Sequence, residues 1–163
     1  MIETSRTLQK VEARIELMGL PEPELITVDD DSPVWPDNIA DLTPDELAHH
    51  MTYWTGLGAY GRNHLARCET DASAWLEQYK HDRSVFVFKS GVGPKGDYST
   101  VTEAKAVFDQ LPKTINIKIL LLEAEAAVKI LKGRIDGYEK KNAAISREQT
   151  RREKEHAESR FQV

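Results

Sequence analysis

Two stretches of this chain repeat apolar or small residues in alternating steps of four and three, and few patterns restrict a fold as strongly. The first series is Leu47, Met51, Trp54, Gly58, Gly61, Leu65, Cys68, Ala72, Trp75 and Tyr79. The second is Ile117, Leu121, Ala124, Val128, Leu131, Ile135, Tyr138, Asn142 and Ile145. A strand shows a period of two, so both series predict long helices with one packing seam each. Thr43-Pro44-Asp45-Glu46 supplies a start for the first helix. The threonine hydroxyl can accept from the amide three residues on, the glutamate can reach back, and proline suits the first helical position. This helix is predicted to run to about Lys80. The second is predicted from Thr114, with residues 146–160 a polar extension. At 1.5 Å per residue each arm is about 45–55 Å long. Joined through a compact connector, they predict an all-α fold built on a long antiparallel, coiled-coil-like α-hairpin. Gly58 and Gly61 sit mid-seam, so a partner backbone is expected to come close there. A helix break near residue 58 is the alternative.

The flanking segments predict the rest. Leu8, Val11, Ile15 and Met18 share one face of a short helix over 5–18, and Gly19 stops it. Residues 20–42 hold Pro21, Pro23, Pro33, Pro36 and the triplet Asp29-Asp30-Asp31. They predict an extended acidic arm in which Val34 and Trp35 anchor on a helical surface of the same or a neighbouring chain, with Trp35 mostly buried. The expected organisation is therefore 1–42, N-terminal helix and arm, and 43–163, the helical hairpin domain. Val85-Phe86-Val87-Phe88 alternates, and residues 90–97 are rich in turn formers, so 84–99 reads as a small β-hairpin or an ordered loop. Thr100 and Glu103 form a second capping box before a short apolar face that ends at Pro112. Two helices leave Leu57, Tyr60, Leu76, Ile119, Leu120 and Ile130 half exposed. Another subunit or residues 1–42 could cover them, and a homo-oligomer is the expectation.

Composition narrows the classes. Apolar residues make up 40% and charged residues 30%, with a mean hydropathy of -0.52, which favours surface-rich helices over a sheet buried on both faces. No apolar run is long enough to span a bilayer. Met1-Ile2-Glu3-Thr4 lacks the blocks of a secretory signal. The expectation is a cytoplasmic protein with no membrane contact. One cysteine, Cys68, leaves no internal disulfide and no cysteine-based zinc site. His49 and His50 follow Asp45 and Glu46 by four residues, but the plain helix pair explains them, so no metal and no cofactor are expected. Gly91-Val92-Gly93-Pro94-Lys95-Gly96 lacks the Gly-Lys-Ser/Thr of a phosphate loop and reads as a connector tip. No catalytic residue is identified, and no enzyme is expected.

The charge is uneven. Residues 1–46 carry 12 acids and three bases, whereas residues 129–154 carry nine bases and four acids. An acidic head and a basic helix attract each other or an outside polyanion. Lys132, Arg134, Lys140, Lys141, Arg147, Arg151 and Arg152 are the candidate phosphate contacts; the other reading of the block is a solvated helix face.

The order of parts over residues 43–155 resembles the phage recombination mediators of the UvsY type. The likeness rests on the long helix from Leu47 to Tyr79, the glycine- and lysine-bearing connector, the Thr-Glu-Ala-Lys start at Thr102 to Lys105, and a second long helix ending in Arg and Lys. The resemblance implies a ring-forming, non-enzymatic protein that binds single-stranded DNA and helps load a recombinase. The chain departs from that pattern in its acidic net charge and its acidic 42-residue N-terminal segment. These departures suit a second expectation: a phage virion structural or assembly protein (minor capsid, decoration or connector-associated) that binds neighbouring virion proteins through Val34 and Trp35.

Overall fold

The computed structural model describes residues 2–20, 33–94 and 96–160, with side chains from residue 9 onward. The prolines and aspartates expected in the arm between 21 and 32, the side chain of Leu8, and Lys95 lie outside the described residues. The protein is all-α. Its elements are α1 (Ile2–Leu17), α2 (Pro44–Ser90), α3 (Val101–Gln110) and α4 (Pro112–Arg160), with one 3-10 turn at Ile39–Asp41. No strand occurs among the described residues.

Local chemistry explains most of the boundaries. Gly19 takes φ 74°, so the amides of Met18 and Gly19 turn back onto the carbonyls of Ile15 and Glu16 and close α1. At the start of α2 the Thr43 amide donates to Glu46 Oε2 at 2.7 Å, and the Glu46 amide donates to Thr43 Oγ1 at 3.3 Å. The Thr43 amide, and the Thr43 hydroxyl that donates to the same oxygen at 2.7 Å, hold the Glu46 carboxyl below its ordinary range. The box before α3 is split. Thr100 accepts from the Glu103 amide at 3.1 Å, but the Glu103 carboxylate takes the amide of Ser99 at 2.9 Å. Pro112 at the first position of α4 starts that helix two residues earlier than Thr114.

The β-hairpin expected at 84–99 does not form. Residues 84–90 are the last turns of α2, which continues past Lys80 to Ser90. Tyr79 and Phe86 lie seven residues apart on one helix face. Their rings meet Phe108 of α3 at 5.9 and 5.5 Å, and this packing overrides the strand preference of Val85–Phe88. The connector then closes on itself through an isolated bridge between Val92 and Tyr98 and a 3.0 Å bond from the Gly93 amide to the Tyr98 carbonyl. A Cβ on Gly96 would lie 2.5 Å from the Gly91 carbonyl carbon, so the tight connector itself requires glycine there.

Contacts divide the chain differently from the expected 1–42 and 43–163. One compact unit joins residues 1–11 to 66–129, the other 12–65 to 130–163. In the first unit α2 and α4 run antiparallel, with Tyr79 beside Lys118 and Asp82 paired to Lys113 at 3.1 Å. Val11, Ala104, Phe108, Thr114 and Ile117 are its buried residues. The α2 seam in this unit (Cys68, Ala72, Trp75, Tyr79) is only half-buried.

In the second unit α2 and α4 are again antiparallel. Asn142 donates to Thr55 Oγ1 at 2.7 Å, and Arg62 pairs with Glu139 at 2.5 Å. Leu20, Leu47, Trp54, Leu131, Tyr138 and Ile145 are fully buried. At Gly61 side chains come close instead of the expected partner backbone: a Cβ there would meet Ile135 Cγ1 at 3.0 Å and Leu20 Cδ2 at 3.6 Å, so the missing side chain makes room for branched neighbours. Gly58 differs. It is buried, but only the Arg62 side chain of its own helix comes within 4.0 Å. α2 passes this point unbroken.

Candidate nucleic-acid interface

The cations singled out on α4 all lie in the second unit, and the helix sorts them into two rows. At 3.6 residues per turn Arg134, Lys141 and Arg152 fall within about 20° of one another. Lys132, Lys140, Arg147 and Arg151 fall in another sector about 100° wide. The rows do different things.

The inner row grips the N-terminal segment of its own chain. Arg134 is 4% exposed, donates to the Leu20 carbonyl, and lies 3.9 Å from Glu16. Lys141 Nζ lies 4.7 Å from the ring centre of Trp35 and 4.3 Å from that of Trp54. Arg152 donates to the carbonyls of Ala40 at 2.9 Å and Leu42 at 2.7 Å. Among the described residues, the inner row meets the N-terminal segment through the carbonyl oxygens of Leu20, Ala40 and Leu42 and the indole of Trp35. Arg134 must be corrected as a phosphate contact, because a buried guanidinium holding a carbonyl cannot reach an outside anion without breaking the fold. Lys141 and Arg152 are half-buried in the same service.

Trp35 belongs to this arrangement. Its ring meets His50 at 5.9 Å and Trp54 at 6.1 Å, both edge-on, and is half-buried. Val34, expected to share the anchor, is 68% exposed. His50 is 3% exposed and accepts from Trp54 Nε1 at Nδ1, 3.4 Å away. Burial pushes its pKa down, and neighbouring His49 adds to that. His50 is therefore a core hydrogen-bond acceptor. Against Trp54, burial pushes the Tyr138 hydroxyl up to about 12.

The outer row faces solvent. Lys132, Lys140, Arg147 and Arg151 are exposed, and so is Lys154 in the same sector. Lys154 was missed as a candidate, although its seven-residue step from Arg147 repeats the step from Lys140 to Arg147. Asp136 is the one acid of this sector between 132 and 154. Arg147 gives Nε to the Ala143 carbonyl at 3.2 Å, and neither it nor Lys154 enters an ion pair among the described residues. Arg151 forms two bonds to Glu148, at 2.8 and 2.7 Å, and also pairs with Glu155. Arg152 takes a third bond to Glu148 at 2.7 Å. Bonds from these two arginines hold the Glu148 carboxyl down at about 2, so it stays ionised and engaged. Ser146, Arg147, Thr150, Arg151 and Lys154 line a shallow groove of about 370 Å³ with no acid in its wall.

Comparison with protein-family models, with curated proteins and with solved structures finds no match to this chain. Among the described residues no helix is long and apolar enough to cross a membrane, and no three His, Cys, Asp or Glu residues are grouped to hold a metal ion.

Proposed function

We propose that this chain is a non-enzymatic helical phage protein that binds single-stranded DNA through the outer cation row of α4 and, like the recombination mediators it resembles, assists recombinase loading. The observation that supports this reading is the outer row itself: Lys132, Lys140, Arg147, Arg151 and Lys154 share one exposed sector with a single acid. Five cations in line suit a polymer of phosphates better than a single small anion. The reading takes α2 and α4 as the arms of the predicted hairpin and the protein as a homo-oligomer acting in the host cytoplasm. Ile115, Ile119 and Leu122, in steps of four and three on α4, are 45%, 44% and 59% exposed, which supports a second copy as their cover. The test is titration of labelled oligo(dT) at several salt concentrations. Log affinity is expected to fall against log salt with a slope of about -2 to -3.5, at about 0.7 per neutralised phosphate. Absence of binding at low salt contradicts the reading.

The exposure of Val34 beside the docked Trp35 favours a second reading, a virion structural or assembly protein that uses this edge to hold neighbouring virion proteins. Analysis of purified particles decides it, since a structural component must be present in them.

A further inference from the structure

A second groove adjoins the cationic one in the same unit. It measures about 460 Å³, with Trp35 and residues 36–40 on one side and Ala144, Arg147, Glu148 and Arg151 of α4 on the other. Arg147 and Arg151 line both grooves, so the two are separated by only the width of these side chains. Their chemistry differs. The Ser146–Lys154 groove has no acid in its wall, and of its three cations Arg151 is engaged by Glu148 and Glu155, whereas Arg147 and Lys154 enter no ion pair among the described residues. The Trp35 groove contains Asp37 and Glu148, and its cations are the two it shares. A phosphate is favoured in the first and disfavoured in the second. The second instead offers an indole, with Asn38 beside it for polar contact. Lys141 occupies one face of that indole, and the part left accessible lines the groove.

We propose that the two grooves together bind one nucleotide unit of a single strand, with the base against Trp35 and its phosphate on Arg147 and Lys154. This rests on the DNA-binding reading and deepens it. Paired bases in a duplex have no free face to offer the indole, so Trp35 confers preference for single strands, while the outer row supplies affinity for any phosphate chain. The anchor of the N-terminal segment and the floor of the base site are then the same residue.

The experiment uses the full-length protein and four probes: oligo(dT), an abasic oligonucleotide of equal length, a duplex of equal length, and dTMP. The wild type is expected to bind oligo(dT) roughly tenfold tighter than the abasic strand. Trp35→Ala is expected to remove that preference and leave the salt slope unchanged. Trp35→Phe keeps a ring and is expected to retain most of the preference, which separates stacking from loss of the docked segment. Arg147→Ala is expected to weaken both strands and lower the slope by about 0.7. Equal binding of oligo(dT) and the abasic strand by the wild type, or a preference that survives Trp35→Ala, overturns the base site and leaves the cationic row standing. Failure of every probe at low salt overturns both. Binding of dTMP as tight as that of oligo(dT) supports the site but makes a free nucleotide its ligand.

Discussion

The two compact units use the same pair of helices and the same heptad pattern, yet they pack differently. Among the described residues, seven of the eight largest fully buried side chains belong to the unit of residues 12–65 and 130–163, and Thr114 to the other. Of the eleven large hydrophobic residues exposed among them, eight lie in the unit of residues 1–11 and 66–129. The reason is complementarity of size. In the second unit the small Gly61 faces Ile135 and Leu20, and Trp54 lies against Tyr138 with ring centres 5.9 Å apart. In the first, Cys68 and Ala72 bring little volume to the seam, and α3 supplies the filler through Phe108. A heptad pattern specifies a seam, but the alternation of large and small residues decides whether it closes.

The largest expected effect separates the units most sharply. Trp54→Ala should cost about 3–5 kcal/mol, as truncation of a buried aromatic does. Trp75→Ala, at a half-buried seam position of the first unit, should cost less than about half of that. Denaturant unfolding of both variants measures the difference, and equal losses would erase the distinction. Next come the glycines. Gly61→Leu should overpack the contact with Ile135 at a cost of about 1–3 kcal/mol. Gly58→Ala has room and should stabilise α2 by up to about 1 kcal/mol. A gain in melting temperature for Gly61→Leu would remove the close approach from the account.

A smaller effect depends on pH. His50 is held below its ordinary value of 6.5, chiefly by burial. The unfolded chain therefore binds the proton more readily than the folded one. Stability should fall as pH drops below about 6.5 and level off below the folded pKa, with the slope set by the difference in bound protons. His50→Gln should flatten that slope in melting curves taken between pH 5 and 7; an unaltered slope would assign it to other groups. Smallest of all, Leu122→Lys should change monomer stability by no more than about 0.5 kcal/mol, since the side chain is 59% exposed. Sedimentation of this variant should show a smaller species if the stripe holds a second copy.

Much of this was legible in the residues. The Thr43–Glu46 box, the stop at Gly19 and the tight position at Gly61 follow from patterns of short range, although side chains of Ile135 and Leu20 close on Gly61 where a backbone was expected. The end of α2 did not, because Phe86 is helical only through Phe108, 22 positions further on. The candidate site was legible as a charge count but not as a geometry. Arg134 and Arg147 look alike in sequence. What parts them is the Leu20 carbonyl, 114 residues from Arg134, and no local pattern announces it. Helical phase alone would have sorted Lys141 and Arg152 with Arg134, and Lys154 with Arg147.

The division of α4 into a gripping row and an exposed row, proposed to bind DNA, is tested most directly by oligo(dT) titrations against salt on two full-length variants. Replacing Lys140 and Arg147 together with glutamine should lower the slope by about 1.4 while leaving the melting temperature near that of the wild type. Replacing Lys141 with glutamine should lower the melting temperature, through loss of its contacts with Trp35 and Trp54, and leave the slope unchanged. The opposite pattern, a slope that follows Lys141 and ignores Lys140 and Arg147, would contradict the account.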